Sequence, residues 1–137
     1  MGFVMEYSPE NDLLRITLDG QLTDVMAATC YAAMSEFMSS HRCRCIVDFS
    51  GVTKFELSSH AIRDVATTSP KFPTTCVRVF VATTDVVYGM ARMFQMLGEE
   101  TRPNLHVVRT LDQAYHLLRV ESPEFHPVSC PTDKTGC

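Results

Sequence analysis

The chain reads as an α/β domain in which a mixed five-stranded sheet, an N-terminal antiparallel hairpin followed by parallel strands, carries four helices on one face. Three observations lead there. Two segments that alternate apolar and polar residues, 3–7 and 13–19, are joined by a polar cluster at 8–12, the pattern of a hairpin. Beyond it, short strand-like runs alternate with segments of helical period, the order of β-α-β units. Finally, Arg15, Arg44 and Arg78 each stand among apolar neighbours within a strand, so each strand has a covered face and a polar face. With successive strands side by side, right-handed crossovers set every helix on the covered face. Two layers is the expected architecture.

Each element carries its own signal. Gly20 stops the second strand, and Thr23 is a good N-cap with Asp24 at the positive end of the helix dipole. That helix runs to about residue 38, with Val25, Met26, Thr29, Ala33 and Phe37 on its apolar face. The central strand spans 44–49 and breaks at Ser50 and Gly51. A loop leads to a short helix from Ser58 to about 67, striped by Ile62, Val65 and Ala66. Two prolines at 69–73 end it, because proline removes a donor and clashes with the preceding turn.

A strand at 76–82 follows, and Thr83, Thr84 and Asp85 cap a third helix over 86–99. Its core face is expected to be Val86, Met90, Met93, Phe94 and Leu97, with Tyr88, Arg92, Gln95 and Glu99 as a polar stripe. A turn at 102–104, a strand at 105–108 and a helix at 111–120 capped by Thr110 complete the domain. That last helix is apolar at Leu111, Ala114, Leu117 and Leu118. Residues 1–120 are thus expected to form one domain, and 121–137, which lose periodicity, a flexible tail. Ile46, Phe80 and Val108 fall on the uncovered sheet face, which a homodimer or the tail is expected to shield.

Composition narrows the function classes. The 137 residues carry a net charge of −4, without the basic excess of a duplex nucleic-acid binder. No apolar run is long enough for a membrane span, and the N-terminal residues do not form a signal peptide, so a cytoplasmic location is expected. The chain has six cysteines, with Cys43 and Cys45 inside a strand and Cys30 and Cys76 in apolar segments, and free buried thiols are the expectation.

The segment CIVDFSGVTKFELSSHAI resembles the strand-loop-helix of STAS domains, the SpoIIAA-like fold, and VYGMARMFQMLGEE resembles a subgroup of small bacterial proteins of that family. The likeness covers residues 3 to about 120. It implies a two-layer SpoIIAA-like fold and signalling of the anti-sigma-factor-antagonist kind, switched by phosphorylation of a serine at a helix start. Glu56 matches the acidic position of that motif, Leu57 stands where the family has its phosphoserine, and Ser58 and Ser59 follow as the candidates. The subgroup label also implies binding of a lipid-like ligand.

The candidate site residues gather at the strand C-terminal edge, where open α/β sheets place ligands. They are Asp48, Ser50, Glu56, Ser58, Ser59, His60, Asp85, Tyr88 and Arg92, with Thr83, Arg109 and Thr110 beside them. Ser58 and Ser59 can equally serve as helix caps, and Arg92 can equally be surface. Tyr88 and Arg92 form an aromatic-plus-arginine pair suited to a protein partner or an anionic ligand. No oxyanion motif accompanies Ser59 and His60, and no fourth ligand accompanies His41, Cys43 and Cys45, so no catalysis, metal or cofactor is expected. The leading expectation is a non-enzymatic module that binds a regulatory protein or a small anionic ligand at this edge. The alternative is a carrier of a small apolar or acyl ligand beneath the third helix, against Met90, Met93 and Phe94, with Met96 apart from them.

Overall fold

The computed structural model describes residues 2–67, 75–98 and 104–128. The turns expected at 69–73 and 102–103, Glu99, and the tail after 128 lie outside these residues. The hairpin forms as its alternation dictates. β1 (Gly2–Ser8) and β2 (Leu13–Thr23) pair antiparallel from Ser8↔Leu13 to Gly2↔Asp19. Asn11 ties the turn to Ser8 through its backbone N–H and, at 3.0 Å, through its side-chain amide.

β3 (Arg44–Glu56) lies parallel to β2 and does not break at Ser50 and Gly51. The two strands continue together to Thr23↔Glu56, past register irregularities at Thr17/Asp19 and Gly20/Gln21. Gly51 is therefore no strand breaker. A Cβ there would sit 2.7 Å from the Leu18 carbonyl oxygen, so only glycine lets β2 pass this close. Gly20 adopts φ 83° in the irregular stretch of β2 for the reason glycine is used in bulges. β4 (Arg78–Val81) pairs with β3 only as far as Asp48↔Val81, and β5 (Leu105–Val108) pairs with β4.

Among the described residues the sheet has six strands in the order β5-β4-β3-β2-β1-β6. The sixth, β6 (His126–Pro127), is short and lies in the segment read as tail. It pairs antiparallel with β1, and Val128 N–H donates to the Met5 carbonyl at 2.9 Å.

Among the described residues four helices connect the strands: α1 (Asp24–Ser40), α2 (Ser59–Thr67), α3 (Asp85–Leu97) and α4 (Leu111–Leu118). The α/β class holds, as does the mixed sheet with its antiparallel hairpin and parallel continuation. The placement of α4 differs from expectation. The main core joins Ile16, Leu18, Val47 and Phe49 to residues of α1, α2 and α3. Leu13, Ile46, Val79 and Val81, whose side chains point the other way, instead cluster with Ala114 and Leu118 of α4. The reason is β6. From β2 to β5 the chain steps across the sheet in one direction, and right-handed crossovers keep α1 to α3 on one face. From β5 it returns to the far edge, ending parallel to β5, so the same handedness places α4 on the opposite face.

That second face holds the charged residues that the alternation identified on β2 and β3. Arg15 donates to Glu6 and to the Tyr115 hydroxyl, both at 2.8 Å, beneath the Phe125 ring at 3.9 Å. Arg44 donates to the carbonyls of Leu118 at 2.6 Å and Asn11 at 2.7 Å. Part of the expected shield is thus supplied by α4 and Phe125. On β4 the expected phase was reversed: Phe80 lies in the main core rather than on this face, and Arg78 points the same way as Phe80.

Two helices are also rotated from their expected faces. α1 buries Cys30, Ala33, Met34 and Met38, while Val25 is 76% exposed. α3 buries Val87, Ala91 and Phe94, and leaves Val86, Met93, Met96 and Leu97 outside. Each helix carries two adjoining apolar stripes, and period alone does not choose between them. Ala33 is buried and belongs to both stripes of α1, whereas Ala91 is buried on the face that α3 turns inward.

Candidate functional site

The main core is not filled. Between α1, α2 and the sheet lies an apolar cavity of about 250 Å³ that opens widely to solvent and is large enough for a small ligand. Its origin is local. On α1 and α2 the lining includes the short side chains of Ala27, Ala28 and Ala61 beside Tyr31, Met34, Ile62 and Val65, and the alanines leave room between the helices. The sheet contributes Leu18, Leu22, Val47 and Phe49, and Met90 and Phe94 of α3 form the far wall. The rings of Phe49, Phe80 and Phe94 touch in series, with centroids 5.3 and 5.5 Å apart. Cys30 also lines the cavity, and burial pushes its thiol up to about 12, so it stays protonated at neutral pH and is a poor nucleophile.

Polar groups are few and unequally placed. Arg78, only 2% exposed, is the lining cation among the described residues, on β4 beside Cys45 and Leu105 of the neighbouring strands. Asp24 and Asp64 line the cavity too, and both are exposed. They belong to its rim.

That rim is where several sequence candidates fall. Ser58 caps α2, its Oγ accepting from Ala61 N–H at 3.1 Å. The same hydroxyl donates to Asp24 Oδ2 at 3.0 Å, and Ser58 N–H donates to Asp24 Oδ1 at 2.9 Å. Asp24 thereby clasps the start of α2 from the start of α1. His60 lies 3.4 Å from Asp64, one turn along α2, with both side chains largely in solvent. Ser59 is exposed, and Glu56, at the end of β3, pairs with Lys54 at 3.7 Å.

Of the remaining candidates, Asp48, Ser50, Asp85 and Tyr88 sit near the ends of β4 and β5, and Arg92 does not. Asp48 and Ser50, expected at a strand terminus, lie within the continuing β3, on the side chain face opposite the cavity. Asp48 is buried and accepts from Ser50 N–H at 2.9 Å and Ser50 Oγ at 2.5 Å, a closed local loop. Asp85 is bonded by Arg109 at 2.8 Å, and the same guanidinium reaches the Thr83 carbonyl at 3.3 Å and covers the Tyr88 ring at 4.6 Å. Arg92 is turned elsewhere. It donates to Gln95 Oε1, whose amide in turn donates to the Leu105 carbonyl at 2.7 Å. The aromatic-plus-arginine pair is therefore Tyr88 with Arg109. The signal for it was available, since Arg109 precedes the helix cap Thr110 at the end of the strand adjoining β4.

His41 stacks on Phe37 at 4.2 Å, while Cys43 and Cys45 are buried, with the Cys43 thiol pushed up to about 12 by burial. Cys30, Cys43, Cys45 and Cys76 are free. Among the described residues no helix is long and apolar enough to cross a membrane. Sequence reasoning missed Arg78 as a cavity residue, and Ala27, Ala28 and Ala61 as the cause of the cavity, because small residues read as ordinary helix formers. No protein-family model matches this chain, and no characterised protein matches it at a significant level.

Proposed function

We propose that this protein is a non-enzymatic binding module for a small, mainly apolar ligand, held between α1, α2 and the sheet. One observation carries the reading. The about 250 Å³ cavity is walled by aliphatic, aromatic and methionine side chains, with its few charged groups confined to Arg78 and the rim. Such concave apolar sites with a small number of placed polar groups are the usual form of ligand pockets. The ligand lies against Met90 and Phe94, as the carrier alternative expected, but beneath α1 and α2 more than α3, and Met93 takes no part. Free thiols suit a reducing compartment, so a cytoplasmic setting accompanies the proposal.

A resemblance to STAS signalling domains adds a role for the rim. A ligand that fills the gap between α1 and α2 bears on the Asp24–Ser58 clasp, and hence on the helix start that a regulatory protein would read. Phosphate on Ser58 would set its charge against the Asp24 carboxylate and break the clasp.

A second reading, contact with a protein partner, is favoured by α3. Val86 and Met96 are each 67% exposed, and with Met93 and Leu97 they make an apolar stripe beside the Asp85–Arg109–Tyr88 cluster.

The test is a titration of benzene and propylbenzene into the protein, followed by NMR and thermal melting, with Ala61→Phe alongside. The wild type should bind saturably and melt higher, and Ala61→Phe should keep its fold and lose binding. If neither hydrocarbon binds the wild type, the cavity is not a ligand site.

A further inference from the structure

We infer that the ligand is a compact monocarboxylic acid whose carboxylate is received by Arg78 at the inner end of the cavity. This rests on the reading of the cavity as a ligand site and adds the chemistry of its occupant. Size comes first. A dry cavity of about 150 Å³ accepts a benzene ring. A cavity of about 250 Å³ then accepts a body of about ten non-hydrogen atoms, too few for a full-length acyl lipid.

Charge gives the orientation. Among the described residues both exposed lining groups with charge, Asp24 and Asp64, are carboxylates, so an anionic head left at the mouth meets like charge. The buried lining charge, Arg78, has the opposite sign. A guanidinium cannot give up its proton inside a protein, and its planar fork matches a carboxylate in a way a lysine does not. Its donors point along more than one edge, so a group of the protein and a ligand can share it. In low dielectric each such bond is stronger than at the surface. An acid entering carboxylate first places its apolar body against Phe49, Phe80 and Phe94, and leaves nothing anionic at the rim. A cationic ligand finds the reverse: favourable carboxylates outside and a buried like charge within.

The experiment compares 3-phenylpropionate, its primary amide and propylbenzene by calorimetric titration into the full chain, in wild type, Arg78→Gln and Arg78→Lys. The wild type should bind the acid at least tenfold more tightly than the amide. Arg78→Gln should erase that preference while keeping propylbenzene binding, and Arg78→Lys should retain only part of it. Equal affinity for acid and amide in the wild type overturns the inference and leaves the apolar site standing, as does a preference that survives Arg78→Gln. Should Arg78→Gln not fold, the acid-to-amide ratio in the wild type decides alone. Failure of all three compounds overturns the ligand site itself.

Discussion

Replacing Gly51 by alanine tests the least expected feature of the fold, the continuation of β2 and β3 past the end of β4. The new Cβ would stand 2.7 Å from the Leu18 carbonyl oxygen, and the neighbour is backbone, which cannot swing aside as a long side chain does. Pairing at Thr17↔Asp48 before the contact and at Gly20↔Val52 after it pins that backbone on both sides. Relief therefore requires β2 to move as a unit, and overpacking of this kind costs about 2 kcal/mol. For a domain of this size that is a fall in Tm of about 8 °C. Urea unfolding gives the energy, and amide exchange gives the location: Gly20 to Thr23 should exchange faster, while β4 and β5 stay protected. Gly89→Ala is the internal control. Its Cβ meets nothing within 4 Å, and an exposed helix interior should gain about 0.5–1 kcal/mol. A Gly51→Ala protein within about 0.5 kcal/mol of wild type, with unchanged exchange, would refute the close-approach argument.

Three further outcomes follow from the same geometry. The buried thiols make stability pH-dependent. Cys30 and Cys43 are held near 12 against an ordinary 9.0, and Cys45 well above it, all chiefly by burial, so above about pH 9 the unfolded chain loses protons that the folded chain keeps. The thiols' contribution should be constant below that pH and then fall by up to about 1.4 kcal/mol per pH unit for each thiol; level urea midpoints from pH 8.5 to 10.5 would contradict it. Phe125→Ala should cost about 1–2 kcal/mol by uncovering Arg15, and a double-mutant cycle with Arg15→Met should show coupling between them, zero coupling meaning that the stacking is incidental. Ser58→Ala should lose about 1 kcal/mol with the cap of α2, and Asp24→Ala a similar amount that does not add to it, because both remove one clasp; full additivity would separate them.

How much of this was legible beforehand depends on the range over which each signal acts. The hairpin, the strand-helix order and the N-caps Thr23, Thr84 and Thr110 are local, and the sequence displays them directly. The position of α4 is not local. It depends on where β6 lands, and a strand of two residues containing Pro127 leaves no periodic trace. The phase of β4 was equally hidden, because Arg78 looks like a solvent-facing charge when its buried setting comes from strands and helices distant in the chain. Site residues divided the same way. Ser58 was placed at a helix start by its neighbours in sequence, whereas its bond to Asp24 spans 34 residues and has no sequence signature. Sequence pairs Tyr88 with Arg92 because the two share a helix, whereas the partner in space, Arg109, directly follows β5. A cavity is the hardest case, being made of atoms that Ala27, Ala28 and Ala61 lack.

The most direct test of the binding proposal uses protein labelled at the methionine methyl groups, with benzene as the probe and transfer of magnetisation from ligand to methyls as the readout. Met34 and Met90 line the cavity, whereas Met93 and Met96 lie on the outer stripe of α3. Saturable binding with transfer to Met34 and Met90, and none to Met93 and Met96, is the predicted result. Transfer to Met93 and Met96 alone would move the binding surface to the outside of α3, and no saturable binding at all would contradict the account.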